Sequence, residues 1–200
     1  MKKFLAAVLT AMLALSMTAC GSEEEETSSD YTPPSNITIY VESGDTAVPV
    51  DVDVSNMTNP FSYITMIIDL PKGFVADQQT AMDAGAVIAY KGSAKTSSEC
   101  YTFANTGSIG DINEITEEEM TANYLSQFEG FTEFSNFSKT KCDGFDALDI
   151  GFERKIQKAT VYQRQYFIFT DSDTYVISYT TEEKKTIADY EKSLTTIIVK

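Results

Sequence analysis

Three cysteines and no histidine bound the chemistry open to this chain. Without an imidazole there is no Ser-His or Cys-His nucleophile system and no histidine-containing zinc site. A Ser-Lys dyad stays formally open, yet no short motif marks one, and no phosphate-cradling glycine run, CxxC pair or long heptad pattern is present. Carboxylates do come in pairs two residues apart, Asp51 with Asp53 on a strand and Asp171 with Asp173 in a turn. Two carboxylates on one strand face could begin a calcium site, but neither pair has the roughly six oxygen ligands that calcium needs from nearby sequence. Both pairs read as solvated residues, and no metal or other cofactor is expected.

Cys100 and Cys142 could form one disulfide if the protein is exported. The bridge would close a loop of about 40 residues and contribute roughly 3 to 4 kcal/mol. Two separate thiols are the alternative, because sequence does not supply the Cα separation. Further on, Tyr162, Arg164 and Tyr166 share one face of a predicted strand. Tyr and Arg dominate many interfaces, so these residues form a candidate partner-binding face, for a protein or a glycan. The plainer account has the tyrosines covering a helix-packed sheet. That account extends Arg164 to solvent, whereas the partner-binding reading predicts that Arg164→Ala leaves folding intact and abolishes capture of a partner.

The third cysteine closes the stretch Met17-Thr18-Ala19-Cys20, behind a Lys2-Lys3 start and an apolar run from Phe4 to Leu15. That run is shorter than the roughly 20 residues a hydrocarbon core requires, so it reads as an export signal. Its end resembles a bacterial lipobox, with Met17 where Leu is usual. The resemblance implies that residues 1–19 are a removable signal and that Cys20 becomes the first mature residue and carries acyl chains. Ordinary cleavage after Ser16 or Thr18 is the alternative. Each buried methylene contributes about 0.8 kcal/mol, so two or more chains anchor stably where one does not. The expected location is the outer face of the cytoplasmic membrane, in an envelope of Gram-positive type.

Residues 20–36, with Glu23 to Glu26 and Pro33-Pro34, have little to bury and read as an acidic tether. The net charge is −15, and it falls to −17 when Lys2 and Lys3 leave with the signal. Such a surface repels phosphate backbones and anionic lipid, which excludes nucleic acid and leaves the acyl chains as the membrane attachment. The expected partners are the membrane, through Cys20, and a protein component of the envelope.

Residues 37–200 suffice for one domain with a sizeable core. Ile37, Ile39 and Val41 alternate with polar residues up to Ser43-Gly44-Asp45, and Val48 to Val54 resume the pattern, which predicts a β-hairpin. A third strand is predicted from Ile64 to Leu70, and short strands over Ala86–Tyr90 and Cys100–Ala104. Gln78 to Gly85 is either a helical turn or a loop. Thr116-Glu117-Glu118-Glu119 has capping-box spacing and opens a helix whose stripe is Met120, Tyr124, Leu125 and Phe128, ending near Gly130. Three further strands follow: one carrying Leu148, Ile150, Phe152 and Ile156, one over Thr160–Phe169, and one carrying Tyr175, Ile177 and Tyr179. They form an antiparallel meander. A second capping box, Thr180 to Glu183, opens a helix that buries Ile187, Tyr190 and Leu194, and Thr195–Val199 is its end or a last strand. The predicted class is α+β: an antiparallel sheet packed with helices, plus an N-terminal hairpin.

The succession Leu70-Pro71-Lys72-Gly73-Phe74, a helix, a strand introduced by Gly144, a long hairpin with Gln163 and Tyr166, and a helix after Tyr179-Thr180 resembles the PsbP-like α/β/α fold over about residues 61–200. Many small bacterial lipoproteins share it. The resemblance implies an accessory, assembly or binding protein, not an enzyme. The expected function is therefore a non-catalytic, lipid-anchored protein that binds or helps assemble another envelope component. The alternative is a small-ligand or ion-binding accessory of a transport system.

Overall fold

The computed structural model describes residues 36–199, apart from 44–45, 62, 65 and 95–97. Cys20, the predicted signal and nearly all of the predicted tether lie outside the described residues. First comes the hairpin, β1 (Asn36–Ser43) antiparallel to β2 (Thr46–Asp53), in a two-stranded sheet of its own. Its register sets Ile37 against Val52 and Ile39 against Val50, so the period-two aliphatics meet on one face. Asp51 and Asp53 are engaged locally: Thr38 Oγ1 donates to Asp51 Oδ1 at 2.7 Å, and the Ser55 amide donates to Asp53 Oδ1 at 2.9 Å.

The strand predicted over Ile64–Leu70 shrinks to β3 (Met66–Ile67). Asn59 explains the difference, since its side chain accepts from the Phe61 amide at 3.0 Å and donates to the Ile64 carbonyl at 3.1 Å. These bonds wind the chain into a turn where the strand would begin. Ile68 then exchanges two backbone hydrogen bonds with Thr58, at 2.8 and 2.9 Å. The main sheet starts at β4 (Phe74–Ala76), followed by α1 (Gln78–Ala84). Asp77 caps α1 by accepting from the Thr80 amide at 2.8 Å, and Gly85 ends it at φ +61°, which settles the segment that sequence left open.

Next come β5 (Ile88–Gly92), β6 (Cys100–Asn105) and α2 (Glu117–Gln127). The Glu119 amide donates to Thr116 Oγ1 at 3.3 Å, as the capping box predicts, and three acids in the first turn suit the helix dipole. The meander follows as β7 (Phe131–Cys142), β8 (Phe145–Ile156), β9 (Ala159–Phe169) and β10 (Thr174–Thr181). Last are α3 (Ile187–Leu194) and β11 (Ile198–Val199), which pairs with β3. The second capping box does not form. Thr180 and Thr181 still belong to β10, and a short 3₁₀ turn over Lys184–Thr186 precedes the helix.

The sheet runs β4-β5-β6-β10-β9-β8-β7, antiparallel throughout. Because β6 pairs with β10, α2 must carry the chain from β6 to the far edge at β7. It crosses one face of the sheet, over Leu148, Ile150, Phe152, Phe167 and Val176. The opposite face presents Tyr166, Ile168, Tyr175, Ile177 and Tyr179 to Tyr190 of α3 and to Met66 and Val199 of the β3/β11 pair. The architecture is thus α+β, with helices on both faces of an antiparallel sheet and a hairpin ahead of it.

Two details of the α2 side depart from the sequence pattern. Leu125 is 57% exposed, so the buried stripe is Met120, Tyr124 and Phe128 alone. Their spacing of four keeps one face, while Leu125 is turned about 100° from Tyr124. Phe131 and Phe134 are an odd number of residues apart yet both enter the core with Tyr124 and Phe152. Register shifts between Phe131 and Asn136 make this possible by rotating β7.

Of the two alternatives open for Cys100 and Cys142, the separate thiols are found and the possible disulfide is not formed. Cys100 and Cys142 are free, buried thiols. Cys100 packs with Ala81 of α1 on one face of the sheet, while Cys142 belongs to the core on the other. Their strands stand four places apart in the sheet, roughly 19 Å at the usual strand spacing, whereas a bridge needs Cα atoms within about 7 Å. Burial pushes the Cys100 thiol up to about 12 and the Cys142 thiol up to about 11. In non-reduced native protein neither thiol should react quickly with a thiol reagent, and both should titrate on denaturation. Failure to titrate without added reductant would refute the free-thiol assignment. Gly130 supplies a second test: at φ +75°, a Cβ there would lie 2.3 Å from the Lys155 carbonyl oxygen. Gly130→Ala should cost about 2 kcal/mol or more in denaturant unfolding.

Candidate functional site

The second half of the meander places Tyr162, Arg164 and Tyr166 on the α3 face of β9, as strand periodicity requires. Three different environments receive them. Tyr162 is half-buried, with the Lys184 ammonium 5.6 Å from the centre of its ring. Tyr166 is buried and its hydroxyl reaches toward the Lys141 carbonyl at 3.5 Å. Arg164 does not extend to solvent: its side chain is only 15% exposed and lies across β8. The residue opposite is Gly151, where a Cβ would meet Arg164 Cδ at 2.8 Å. The absence of a side chain at Gly151 is therefore what lets the guanidinium lie flat.

From that position Arg164 Nη2 donates to Asp149 Oδ2 at 2.7 Å, and Nη1 lies 3.3 Å from Glu191 Oε1 of α3. One guanidinium thus ties β8, β9 and α3 together. The pair with Asp149 is largely withdrawn from water, and the one with Glu191, whose side chain is half exposed, is the looser of the two. Burial holds the Asp149 carboxyl above its usual range; Arg164 opposes the shift and Glu191 adds to it.

Beside this triad is an open pocket of about 430 Å³, within the range of small-ligand sites. Its floor is Asp149, Arg164 and Tyr166. Thr140 to Cys142 of β7 with Asp143 just beyond it form one wall, and Glu191, Leu194, Thr195 and Ile197 form the other. Sequence reasoning identified Arg164 and Tyr166 but missed Asp149, Gly151 and Glu191. The first two carried a signal, since the alternation Leu148-Asp149-Ile150-Gly151-Phe152 puts both off the α2 face. Glu191 carried none, because nothing in the chain states where α3 lands.

The other chemistry-bearing residues stay apart. Asp173 accepts from Asn105 Nδ2 at 3.0 Å and from Ser172 Oγ at 2.6 Å, which fastens the β9/β10 turn. Among the described residues, no three Cys, Asp or Glu side chains gather as metal ligands, and no helix is long and apolar enough to cross a membrane.

No family model matches the sequence, and no curated protein matches it significantly. Solved structures that align with this chain include two at low identity. LpqN of Mycobacterium tuberculosis, described as involved in cell envelope biogenesis, aligns with a TM-score of 0.44 at 16% identity, over 66% of this chain and 83% of that one. PA94 of Pseudomonas aeruginosa, a protein of unknown function, aligns with a TM-score of 0.39 at 11% identity, over 82% of this chain and 97% of that one. Neither likeness is close enough to transfer a role.

The triad makes two predictions. Arg164→Ala should destabilise by about 2 to 4 kcal/mol, because Asp149 is left charged and unpaired, while Arg164→Met combined with Asp149→Leu should recover much of the loss. Urea unfolding of the three proteins checks this. Folding raises the Asp149 pKa, so this group's contribution to stability is fully present below the ordinary carboxylate value of about 3.9 and is lost as pH rises through its higher folded value. Asp149→Asn should remove that part of the slope in unfolding free energy as pH rises from the ordinary carboxylate range through the raised folded value.

Proposed function

We propose that this chain is a lipid-anchored, non-catalytic accessory protein that binds another component of the cell envelope. The observation that carries the reading is the Lys2-Lys3 start, the apolar run and Met17-Thr18-Ala19-Cys20, followed by an acidic tether and a single domain. A short apolar run ending at a lipobox-like cysteine favours export and acylation over a permanent span. The net charge of −15 favours a domain held clear of anionic lipid, presented outward to a partner. The chemistry of the pocket supports binding over catalysis. Its thiol, Cys142, is buried with its pKa pushed up to about 11, which leaves very little thiolate at neutral pH. Its guanidinium and two of its carboxylates are committed to one another.

A second reading, a small-ligand accessory of a transport system, is favoured by one observation: a pocket of about 430 Å³ with polar groups converging from three strands and a helix. In both readings the protein works outside the cytoplasm and on a leash. Cys20→Ala should yield a folded protein in the soluble fraction, with unchanged circular dichroism, while the parent chain pellets with membranes. A Cys20→Ala protein that still pelleted, with no crosslinkable partner, would overturn the anchor.

A further inference from the structure

Among the charged groups that line the α3 pocket, the principal ones are already matched. Arg164 is shared by Asp149 and Glu191, Lys141 is 2.7 Å from Asp146, and Asp143 accepts from the Val199 amide at 2.8 Å. An anionic ligand would meet Asp149 and Glu191 within a molecule of net charge −15. A cationic ligand would meet Arg164 and Lys141. The lining holds three carboxylates against two cations, so an anion is repelled, and a cation finds a surplus of one carboxylate, Asp143, which the Val199 amide already engages and which is too little to offset the cation's own desolvation.

Paired groups nonetheless keep hydrogen-bonding capacity. An ionised carboxylate has about four acceptor sites and a guanidinium five N–H donors; Asp149 Oδ1 and Arg164 Nε are buried away from the pocket, so the surplus open to a ligand is that of the Arg164 Nη groups and of the half-exposed Glu191 carboxylate. Ion pairing also fixes these planar groups in place before any ligand arrives, which lowers the ordering cost of binding. Thr140 and Thr195 add hydroxyls at the rim, and Leu194 and Ile197 an apolar wall. Closely interleaved donors and acceptors beside an apolar surface suit a ligand whose hydroxyls each donate and accept and whose ring presents C–H bonds. Glu191, half exposed and loosely held at 3.3 Å, can turn toward such a ligand while Asp149 keeps the guanidinium in position.

We propose that this pocket binds a neutral saccharide unit. The proposal rests on the extracytoplasmic reading above and names the ligand class of its pocket. The size admits a mono- or disaccharide, either free or as part of a longer glycan.

The test uses the full chain purified in a detergent without a sugar headgroup. It is titrated calorimetrically with maltose, cellobiose, lactose and chitobiose, applied to an array of neutral, sialylated and sulfated oligosaccharides, and sedimented with insoluble chitin. Saturable binding to at least one neutral sugar is expected, weakened tenfold or more by Asp149→Asn. Thr140→Trp should weaken it equally by filling the pocket from an exposed position that leaves the ion pairs intact, with unchanged circular dichroism. Calorimetric binding identifies a free sugar as the ligand, and binding to long oligosaccharides or chitin alone identifies a glycan. Binding to anionic sugars only, no sugar binding at all, or binding that Thr140→Trp leaves unchanged would overturn the proposal. If sugar binding fails while crosslinking in cells still joins the chain to an envelope protein, the saccharide assignment falls and the accessory reading stands.

Discussion

Burial of the central sheet on both faces is the constraint from which the rest follows. Strand β10 is buried at every one of its eight residues, so both sides of the sheet middle must be covered. The chain meets this by sending α2 over one face during the crossover to β7 and laying α3 with the β3/β11 pair over the other. A sheet covered on one face only would leave Tyr179 and Ile177, or Val176 and Phe167, against water, and an area of that size drives association.

Double burial sets severe terms for every polar side chain in the middle strands. Gln165 bonds to the Tyr124 hydroxyl and Gln163 donates to Thr180 Oγ1 at 3.1 Å, so two of the buried amides on the α2 face find partners. Arg164 on the opposite face is met by Asp149 and Glu191. The two faces also differ in chemistry. The α2 side is largely phenylalanine around Tyr124, whereas the α3 side stacks Tyr101, Tyr179 and Tyr190, and the Tyr179 hydroxyl bonds to Thr186 and Glu99 at 2.7 Å each. Tyrosines carry an apolar body and a polar tip, so the α3 face is where the protein can hold polar groups beside a dry core. The pocket is on that face.

Much of this was legible from local patterns. The hairpin, the meander and the start of α2 all follow from period-two aliphatics, short turns and one capping threonine, because each depends only on neighbours in the chain. Errors arose where a side-chain turn or a sheet partner overrides the apolar pattern. Asn59 turns the chain where apolar residues promised a strand, and β10 runs through the threonine that was assigned to a cap. Leu125 is apolar and helical yet faces solvent, because it is turned about 100° from Tyr124 and so off the Met120, Tyr124 and Phe128 stripe.

The sequence by itself determined the charge and the strand faces, the acidic balance and the shared face of Tyr162, Arg164 and Tyr166, and it carries the motif at Cys20 on which the proposed anchor rests. It also contained the hairpin register that sets Gly151 opposite Arg164 with Asp149 diagonal to it, since a tight turn at Gln157-Lys158 fixes the pairing. Tertiary structure alone decided that Cys100 and Cys142 belong to opposite faces and that Glu191 arrives from α3 to complete the triad. Strand alternation and turn length are properties of the covalent chain, whereas strand order and helix docking emerge only when both faces of the sheet must be removed from water together.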